Sequence, residues 1–337
     1  MNGSKGFTAR YYATTVDPLT WRDGQVFNIT GGSIKLTEDG LRESADIQTK
    51  DFDPYAEHWV RIYLDARQDD EEPELVPLFT GLASLPNKTY NGRKQSSAVQ
   101  CYSVLKPAED VLLPLGWYAN AGTNGARLIY ELLSEVIPAP ISIDGVSPAI
   151  DQTIVAESGE TRLSIVDYIL TIIDWRLRID GRGEITICPA AAEPVAEFDA
   201  DSYDVIGLDV TVENNWYDCP NVFRAISDDV MAIARDEDPN SRYSIQNRGR
   251  EVWMEDTGVS LSTNETIGQY AQRRLKEEQL LGYNLSYDRR FHPLVRPSDF
   301  VSVRYPEQDI SGVFEVISQT ISIEYGAKVN EEVLGFM

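Results

Sequence analysis

Histidine and cysteine are scarce in this 337-residue chain, and the shortage limits the chemistry it can carry out. The two histidines, His58 and His292, have no partner that the sequence identifies, which favours structural or surface roles over general-base catalysis. The three cysteines, Cys101, Cys188 and Cys219, are widely spaced and form no CxxC pair. This spacing argues against a disulfide framework and a zinc site. It predicts reduced, mostly buried thiols in a protein that folds in a cytoplasm.

Positive charge is also in short supply. The chain has 30 Lys and Arg against 54 Asp and Glu, which gives a formal net charge of −24. A general nucleic-acid binder needs a basic surface, and docking on anionic lipid needs a basic patch, so neither class is expected. No segment approaches the roughly 18 apolar residues of a membrane span. Residues 1–7 lack the apolar region of a signal peptide, so none is expected.

The familiar catalytic and nucleotide-binding motifs are missing: GxSxG, the Walker A loop and HExxH do not occur. The acidic run Asp69–Glu74 offers the oxygen ligands that Ca²⁺ prefers, but it lacks EF-hand spacing and is typical of a solvated hairpin tip. Asp180–Gly183 leads into a strand rather than a helix, as a hairpin turn does and a phosphate-binding loop does not. We therefore predict no catalytic, cofactor-binding or metal-binding residues, and no enzymatic activity.

Alternation of apolar and polar residues dominates both ends of the chain. It predicts strands of antiparallel sheets with one covered face. On four of these strands, the side chains predicted to lie on the covered face are Val60, Ile62 and Leu64; Ile206, Leu208, Val210 and Val212; Val301, Val303 and Tyr305; and Ile321, Ile323 and Tyr325. Ile29–Ser33 and Leu85–Gly92 are rich in turn-forming residues and are predicted to separate strands.

The middle of the chain predicts two helices and a hairpin. Residues 124–137 and 161–174 show the period of amphipathic helices, and Pro138 ends the first of them. Apolar residues then alternate over 175–179 and 185–187, on either side of the turn already noted. The predicted apolar positions are Leu128, Leu132 and Val136; Leu163, Val166, Ile169, Leu170 and Ile173; and Trp175, Leu177, Ile179, Ile185 and Ile187.

A later helix is predicted over residues 262–281. Ser262 and Glu265 fit a capping box at its start, and Gly282 follows its last turn. Its arginines are expected to pair with glutamates one turn further on, namely Arg273 and Arg274 with Glu277 and Glu278. The order of patterns is thus a β-region, a small α+β region and a second β-region. We place the boundaries at 1–110, 111–190 and 191–337, with a linker at 190–194.

Three stretches of the chain form a further pattern. They are Leu78–Leu82 with the strand through Cys101 and Tyr102 into Asp110–Leu113; Leu163–Pro189; and, after the 262–281 helix, Pro293–Asp299, Phe300–Val303 and Gly312–Val316 with a final strand. Together they resemble the baseplate hub proteins of contractile phage tails and phage-like particles, relatives of the hub region of type VI secretion spike proteins. The usual family motif has glycine just before the aspartate, where this chain has Ser298.

The resemblance implies a mainly β fold with a small α+β insertion, in which two antiparallel β-barrel domains flank a helix-hairpin domain. It implies a trimer whose pseudo-sixfold ring adapts the hexameric tail tube to the threefold spike. Such a protein is a structural part of the virion tail baseplate, assembled in the host cytoplasm, with no cofactor and no membrane association. Its expected partners are the tail tube, spike, tape-measure and baseplate wedge proteins.

The resemblance also implies a channel through which genomic DNA passes without specific binding. An acidic channel wall repels phosphate, although the acidity can equally serve solubility alone. The resemblance is compatible with both contractile and non-contractile tails.

Two other interpretations remain open. Tyr11–Tyr12 and Trp117–Tyr118 are aromatic pairs of the kind that stack on sugar rings, as in a tail-tip carbohydrate-binding or adhesin module. The many carboxylates leave room for the acid pair of a cell-wall hydrolase. For a hub, Trp117, Tyr118 and Trp216 are instead candidate subunit-interface residues, or else ordinary core aromatics.

Overall fold

The computed structural model describes residues 7–50, 52, 56–67, 72–91, 94–190, 193–202, 206–214, 216–227, 230–259, 266–280, 283–324 and 326–336. The fold over these residues is mainly β, with short helices concentrated in the middle of the chain and near residue 270. None of the helices described there has the length and apolar character needed to cross a membrane.

Seven strands form the N-terminal region: β1 (Thr8–Val16), β2 (Asp23–Thr37), β3 (Glu43–Thr49), β4 (His58–Arg67), β5 (Glu74–Ala83), β6 (Asn87–Asn91) and β7 (Lys94–Ser103). Their pairings run β1–β4–β5–β7–β3–β2 and return to β1, so six strands close into a ring, which we call the N-terminal strand ring. Ile34, Ile62 and Leu78 are fully buried inside it. Burial of each such side chain contributes about 1.5–3 kcal/mol.

The predicted turn at Ile29–Ser33 is wrong, because these residues lie inside β2. The pairing with β3 shifts register between Ile29 and Gly31, which marks a β-bulge. Gly32 has a φ of 144°, and a Cβ there would lie 2.1 Å from the Asp46 carbonyl oxygen. The glycines therefore allow a strand to bend and approach its neighbour closely. Part of the second predicted turn is also strand, since it contains β6; Gly92 lies outside the described residues.

Strand β4 is confirmed, but both of its faces are covered. Val60, Ile62 and Leu64 point into the ring as predicted, whereas Arg61 and Tyr63 on the opposite face are also buried. Alternation predicts only one covered face. The small α+β region covers Arg61, through the Arg182 carbonyl, whereas Tyr12 and Asp23 of the N-terminal region cover Tyr63.

The small α+β region contains α1 (Lys106–Asp110), β8 (Tyr118–Ala119), α2 (Gly125–Ser134), β9 (Ile141–Ile143), β10 (Ile154–Val155), α3 (Arg162–Ile173), β11 (Trp175–Ile179) and β12 (Ile185–Pro189). All five predicted apolar positions of α3 are buried, as are those of the β11–β12 hairpin. The Asn124 side chain caps α2, which ends at Ser134, before Pro138. In α2 the buried positions include Ile129, Leu132 and Leu133, whereas the predicted Leu128 is only half-buried; the predicted Val136 lies beyond the end of α2 and is also half-buried.

The C-terminal region contains β13 (Pro194–Asp199), β14 (Ile206–Asn214), β15 (Val222–Ser227), β16 (Val230–Arg235), α4 (Ile245–Arg248), β17 (Trp253–Thr257), α5 (Ile267–Leu280), β18 (Tyr283–Arg290), β19 (Phe300–Tyr305), a 3₁₀ turn (Pro306–Gln308), β20 (Ile310–Ser322) and β21 (Lys328–Phe336). Six strands pair in the order β13–β19–β20–β21–β18–β14 around a separate apolar core. β20 also pairs with β2, so one 13-stranded sheet includes both β-regions. Of the predicted linker 190–194, residues 191 and 192 lie outside the described residues.

Two strand predictions in this region need correction. The predicted strand ending at Tyr325 is instead the end of β20, which runs on from the Gly312–Val316 segment; Tyr325 itself is outside the described residues. In β14, Leu208 and Val212 are 58% and 38% exposed, so the predicted inward face is only partly covered. The pattern of β19 is confirmed, with Val301, Val303 and Tyr305 buried.

A small lobe projects from the C-terminal region: α5 packs on one face of the three-stranded sheet β16–β15–β17. The start of α5 is held by Thr266, whose hydroxyl accepts from the Gln269 amide while the Gln269 side chain accepts from the Thr266 amide. The predicted capping residues Ser262 and Glu265, and Gly282 beyond the helix, lie outside the described residues. The predicted arginine–glutamate pairs of α5 are confirmed at 2.7–3.0 Å.

Candidate functional site

The residues that suggested chemistry in the sequence are scattered. His58 is exposed beside the Phe52 ring, and His292 is half-buried against Phe198. Burial lowers the pKa of His292 because it disfavours the imidazolium form. Over the described ranges, no three or more His, Cys, Asp or Glu side chains are grouped to hold a metal ion. Of the acidic run, residues 69–71 lie outside those ranges.

The cysteines are free thiols. Cys101 and Cys219 are buried, as predicted, and Cys188 is half-buried. Burial raises the pKa of the Cys219 thiol to about 11. A thiol with a raised pKa is a poor nucleophile at neutral pH, so this site favours a packing role.

A polar junction forms where the β11–β12 hairpin meets the N-terminal strand ring. The turn of the hairpin lies against β5 so closely that a Cβ on Gly181 would be 1.9 Å from the Pro77 carbonyl oxygen. Thr80 donates from its hydroxyl to the Gly181 carbonyl at 2.9 Å. The Arg182 carbonyl accepts from Arg61 at 3.0 Å. The turn that the sequence predicts is therefore a docking element as well as a chain reversal.

A tryptophan completes the contact around this turn. Trp21, between β1 and β2, donates from its indole nitrogen to the Arg182 carbonyl at 2.9 Å. The Arg61 guanidinium lies 5.9 Å from the centre of the Trp21 ring, within the range of a cation–π contact. Asp23 accepts from Arg61 at 2.8 Å and from the Tyr63 hydroxyl at 2.6 Å. These contacts explain why the outer face of β4 is buried.

The other side of the hairpin binds the turn that precedes β19. Arg178 pairs with Asp299 through both of its terminal nitrogens. Arg176 pairs with Glu315 at 2.7 Å and donates to the Ser298 carbonyl. Burial raises the pKa values of Asp299 and Glu315, and the arginines oppose that effect. These contacts join Pro293–Asp299, one of the segments on which the resemblance rests, to the hairpin of the small region.

A buried carboxylate lies between the three regions. Glu43, at the start of β3, is 3.8 Å from Arg296, too far for a direct hydrogen bond. Its Oε1 atom has no hydrogen-bond partner within the described part of the chain. Desolvation therefore outweighs the attraction to Arg296 and raises the pKa of Glu43 to about 8. Arg296 in turn donates to the Leu78 carbonyl at 3.1 Å, and its burial lowers its own pKa.

A cleft of about 340 Å³ opens beside this junction. Its lining includes Glu38, Arg42, Asp167, Arg176 and Glu315. Arg42 and Asp167 pair at 2.6 Å across it, which ties the β2–β3 turn to α3. Burial and neighbouring carboxylates raise the pKa of Glu38 to about 7. Both arginines of the cleft form ion pairs, Arg42 with Asp167 and Arg176 with Glu315, and these pairs join separate parts of the chain.

The aromatic residues singled out in the sequence have different surroundings. Tyr11 donates its hydroxyl to the Glu324 carbonyl at 3.0 Å, and the Tyr12 ring stacks on Tyr63 with centroids 5.3 Å apart. Both rings therefore make contacts within the chain, and both are half-buried. Trp117 packs against the core of the small region, whereas its neighbour Tyr118 is exposed.

Trp216 lies between β14 and β15 and is partly exposed. Its ring lies 5.5 Å from that of Tyr243, and the Arg248 guanidinium lies 5.2 Å from its centre. Of the three predicted interface residues, Tyr118 is therefore the one with most of its surface available.

Sequence comparison alone finds no relative: no protein-family model matches the chain, and no curated protein is detectably similar to it. The fold does have solved counterparts. A tail protein from Neisseria meningitidis MC58 matches with a TM-score of 0.72 at 14% identity, over 97% of each chain. The 43 kDa tail protein of prophage MuSo2 from Shewanella oneidensis matches with a TM-score of 0.67 at 12% identity, over 98% of each chain.

A more distant counterpart belongs to a secretion machine. A component of the E. coli type VI secretion system, described as structurally similar to bacteriophage T4 tail proteins, matches with a TM-score of 0.55 at 10% identity. The match covers 92% of this chain and 75% of that one. The structural neighbours are thus phage tail proteins and type VI secretion proteins, and this chain has their fold.

Proposed function

We propose that this protein is a structural baseplate hub of a phage tail: a homotrimeric ring that adapts a hexameric tail tube to a threefold spike and surrounds the channel for DNA. The observation that carries the proposal is the shared fold with phage tail proteins over nearly the whole chain. The role is mechanical and non-enzymatic. Its partners are the tail tube, spike, tape-measure and baseplate wedge proteins, and its place is the virion baseplate after assembly in the host cytoplasm.

The division of the chain follows the plan of a hub. We propose a first β-barrel domain at 1–110, an α+β domain at 111–190 and a second β-barrel domain at 191–337. The closed N-terminal strand ring supports the first barrel, and the separate core enclosed by β13, β14 and β18–β21 supports the second. The β2–β20 pairing and the Arg178–Asp299 contact would make the three parts one rigid building block.

Unpaired strand edges support self-association. Among the described residues, β14 pairs only with β18 and β13 only with β19, so each leaves one edge without a partner. Exposed edges pair readily with strands of other chains. Leu208 and Val212 on β14 would be covered by such a contact. Heterologous contacts of this kind close into a ring when the rotation between subunits permits.

The net charge supports a channel that does not retain DNA. Three chains would carry three times the charge of −24, and an acidic lumen repels phosphate.

The proposal is tested by the mass and shape of the purified protein. Light scattering should give three times 37.8 kDa, and negative-stain images should show a central hole. Leu208→Arg should reduce the trimer, because it places a charge at the open edge of β14, whereas Val146→Arg on an exposed loop of the α+β region should not. A monomer that binds or cleaves cell-wall glycan would overturn the proposal in favour of a tail-tip binder or hydrolase.

A further inference from the structure

A group of exposed apolar side chains lies on the small α+β region, just after the chain leaves the N-terminal strand ring. The group, which we call the apolar strip, consists of Leu112, Leu115, Tyr118 and Val155, with exposed fractions of 58%, 87%, 60% and 63%. Scattered exposed apolar residues are normal on a protein surface. Several of them in one short segment indicate a binding surface.

The backbone beneath the apolar strip is held in place. Residues 111–118 run antiparallel to residues 155–161, and the Leu113 amide donates to the Glu160 carbonyl at 2.9 Å. Tyr118 and Val155 are direct partners in the β8–β10 pair, so their side chains share one face. The apolar strip is therefore presented by ordered, paired backbone, which lowers the entropic cost of binding.

The charges around the apolar strip are mostly negative. Residues 105–122 and 151–163 contain the acidic residues Glu109, Asp110, Asp151, Glu157 and Glu160 and the basic residues Lys106 and Arg162. Both cations are already committed to ion pairs: Lys106 with Glu109 and Asp110 at 2.8 and 2.6 Å, and Arg162 with Glu135 at 2.6 Å. Glu109 and Asp110 are in turn partly neutralised by Lys106, but Asp151, Glu157 and Glu160 leave the two segments with a net negative charge, which attracts cations.

We propose that the apolar strip docks a segment of a different protein in which apolar side chains are flanked by lysine or arginine. Apolar burial supplies the affinity, and the acidic rim selects the charge of the partner. A second copy of this chain is a poor occupant of this surface, because it would place an identical acidic rim against this one. The inference does not depend on the hub role, since the apolar strip belongs to the surface of a single chain.

The test uses two short synthetic peptides with one apolar sequence, flanked by lysines in the first and by glutamates in the second. Fluorescence anisotropy at low ionic strength should show the lysine peptide binding at least about tenfold more tightly than the glutamate peptide. Added salt should shrink the difference, because exposed charges are screened over about 10 Å at 0.1 M. Equal binding of the two peptides, or binding of neither, would overturn the proposal.

Variants then locate the binding. Leu115→Ser combined with Tyr118→Ser should weaken the lysine peptide about tenfold or more, because both side chains are largely exposed and their loss leaves the core intact. The matched control is Leu19→Ser, since Leu19 is 92% exposed but lies on the β1–β2 loop. An equal loss with the control would contradict the assignment. So would a change in the oligomeric mass of the double variant, which would make the apolar strip a contact between copies.

Discussion

Arg178 and Asp299 form a two-pronged ion pair between the β11–β12 hairpin and the turn before β19. Nη1 lies 2.9 Å from Oδ1, and Nη2 lies 3.0 Å from Oδ2. The same Asp299 carboxylate accepts from the Arg296 backbone amide at 2.9 Å. The Asp299 side chain therefore stabilises its own turn and also binds a hairpin from another part of the chain. A substitution of Asp299 tests both contacts at once.

Replacing Asp299 should destabilise the protein. Asp299→Ala removes the ion pair and the bond to the Arg296 amide. Leaving the buried donors of these contacts without an acceptor costs about 1–3 kcal/mol. The midpoint of urea unfolding, followed by tryptophan fluorescence, measures the loss. The control is Glu131→Ala, which breaks an exposed pair with Arg127 on α2 and should cost less than about 0.5 kcal/mol. Equal effects of the two changes would show that the junction adds no stability.

Glu43 should make the protein less stable as pH rises. Its pKa is raised from 4.5 to about 8 in the folded chain, so the folded state retains a proton that the unfolded state has released. Stability must then fall between these two values as pH increases, by an amount on the order of a few kcal/mol. Glu43→Gln removes this titration and should flatten the decline measured by urea unfolding.

The exposed Glu131→Gln change on α2 is the control for that comparison, and it should leave the pH dependence as it is in the parent protein. A Glu43→Gln protein that declined with pH as steeply as the parent would show that Glu43 does not hold the extra proton.

Ser298→Gly should stabilise the protein. Ser298 has a φ of 68°, a left-handed conformation that costs a residue with a side chain about 1–2 kcal/mol and costs glycine little. Glycine also gains freedom in the unfolded chain, so the net gain should be about 0.5 kcal/mol. Ser298→Ala keeps the strain and should bring no gain. Thermal unfolding of both variants decides the matter, and a destabilised Ser298→Gly protein would contradict this account.

Gly181→Ala should loosen the docked hairpin. The added methyl group would meet the Pro77 carbonyl at 1.9 Å, so the turn has to move away from β5. We expect a loss of about 1–3 kcal/mol, as in overpacked interiors. A shift in Trp21 emission should accompany it, because the Trp21 indole bonds to the turn. Gly31→Ala is the control, since no atom lies within 4 Å of its added Cβ. Comparable losses for the two would rule out a specific close contact.

The elements that the sequence predicted correctly depend on local periodicity. The apolar stripe of α3, the β11–β12 hairpin and the alternation of β19 each bury the residues expected of them. Thr266 and Gln269 form a capping box at the start of α5, and their spacing in the sequence is the same as that of Ser262 and Glu265, so spacing alone does not distinguish the two pairs. The glycine pair in β2 predicts a turn but lies at a bulge inside a strand, because glycine marks turns and bulges alike.

The amino-acid sequence by itself determined the mainly β class, the helices and hairpin of the middle region, and the strong acidity, because each follows from neighbours in the chain or from composition. Only the tertiary structure decided which polar residues are buried and which apolar ones are exposed. Arg61 is covered by a turn about 120 residues away, and Leu208 is left open at a sheet edge. Such outcomes depend on the packing of distant segments, and alternation along one strand carries no information about what covers its second face.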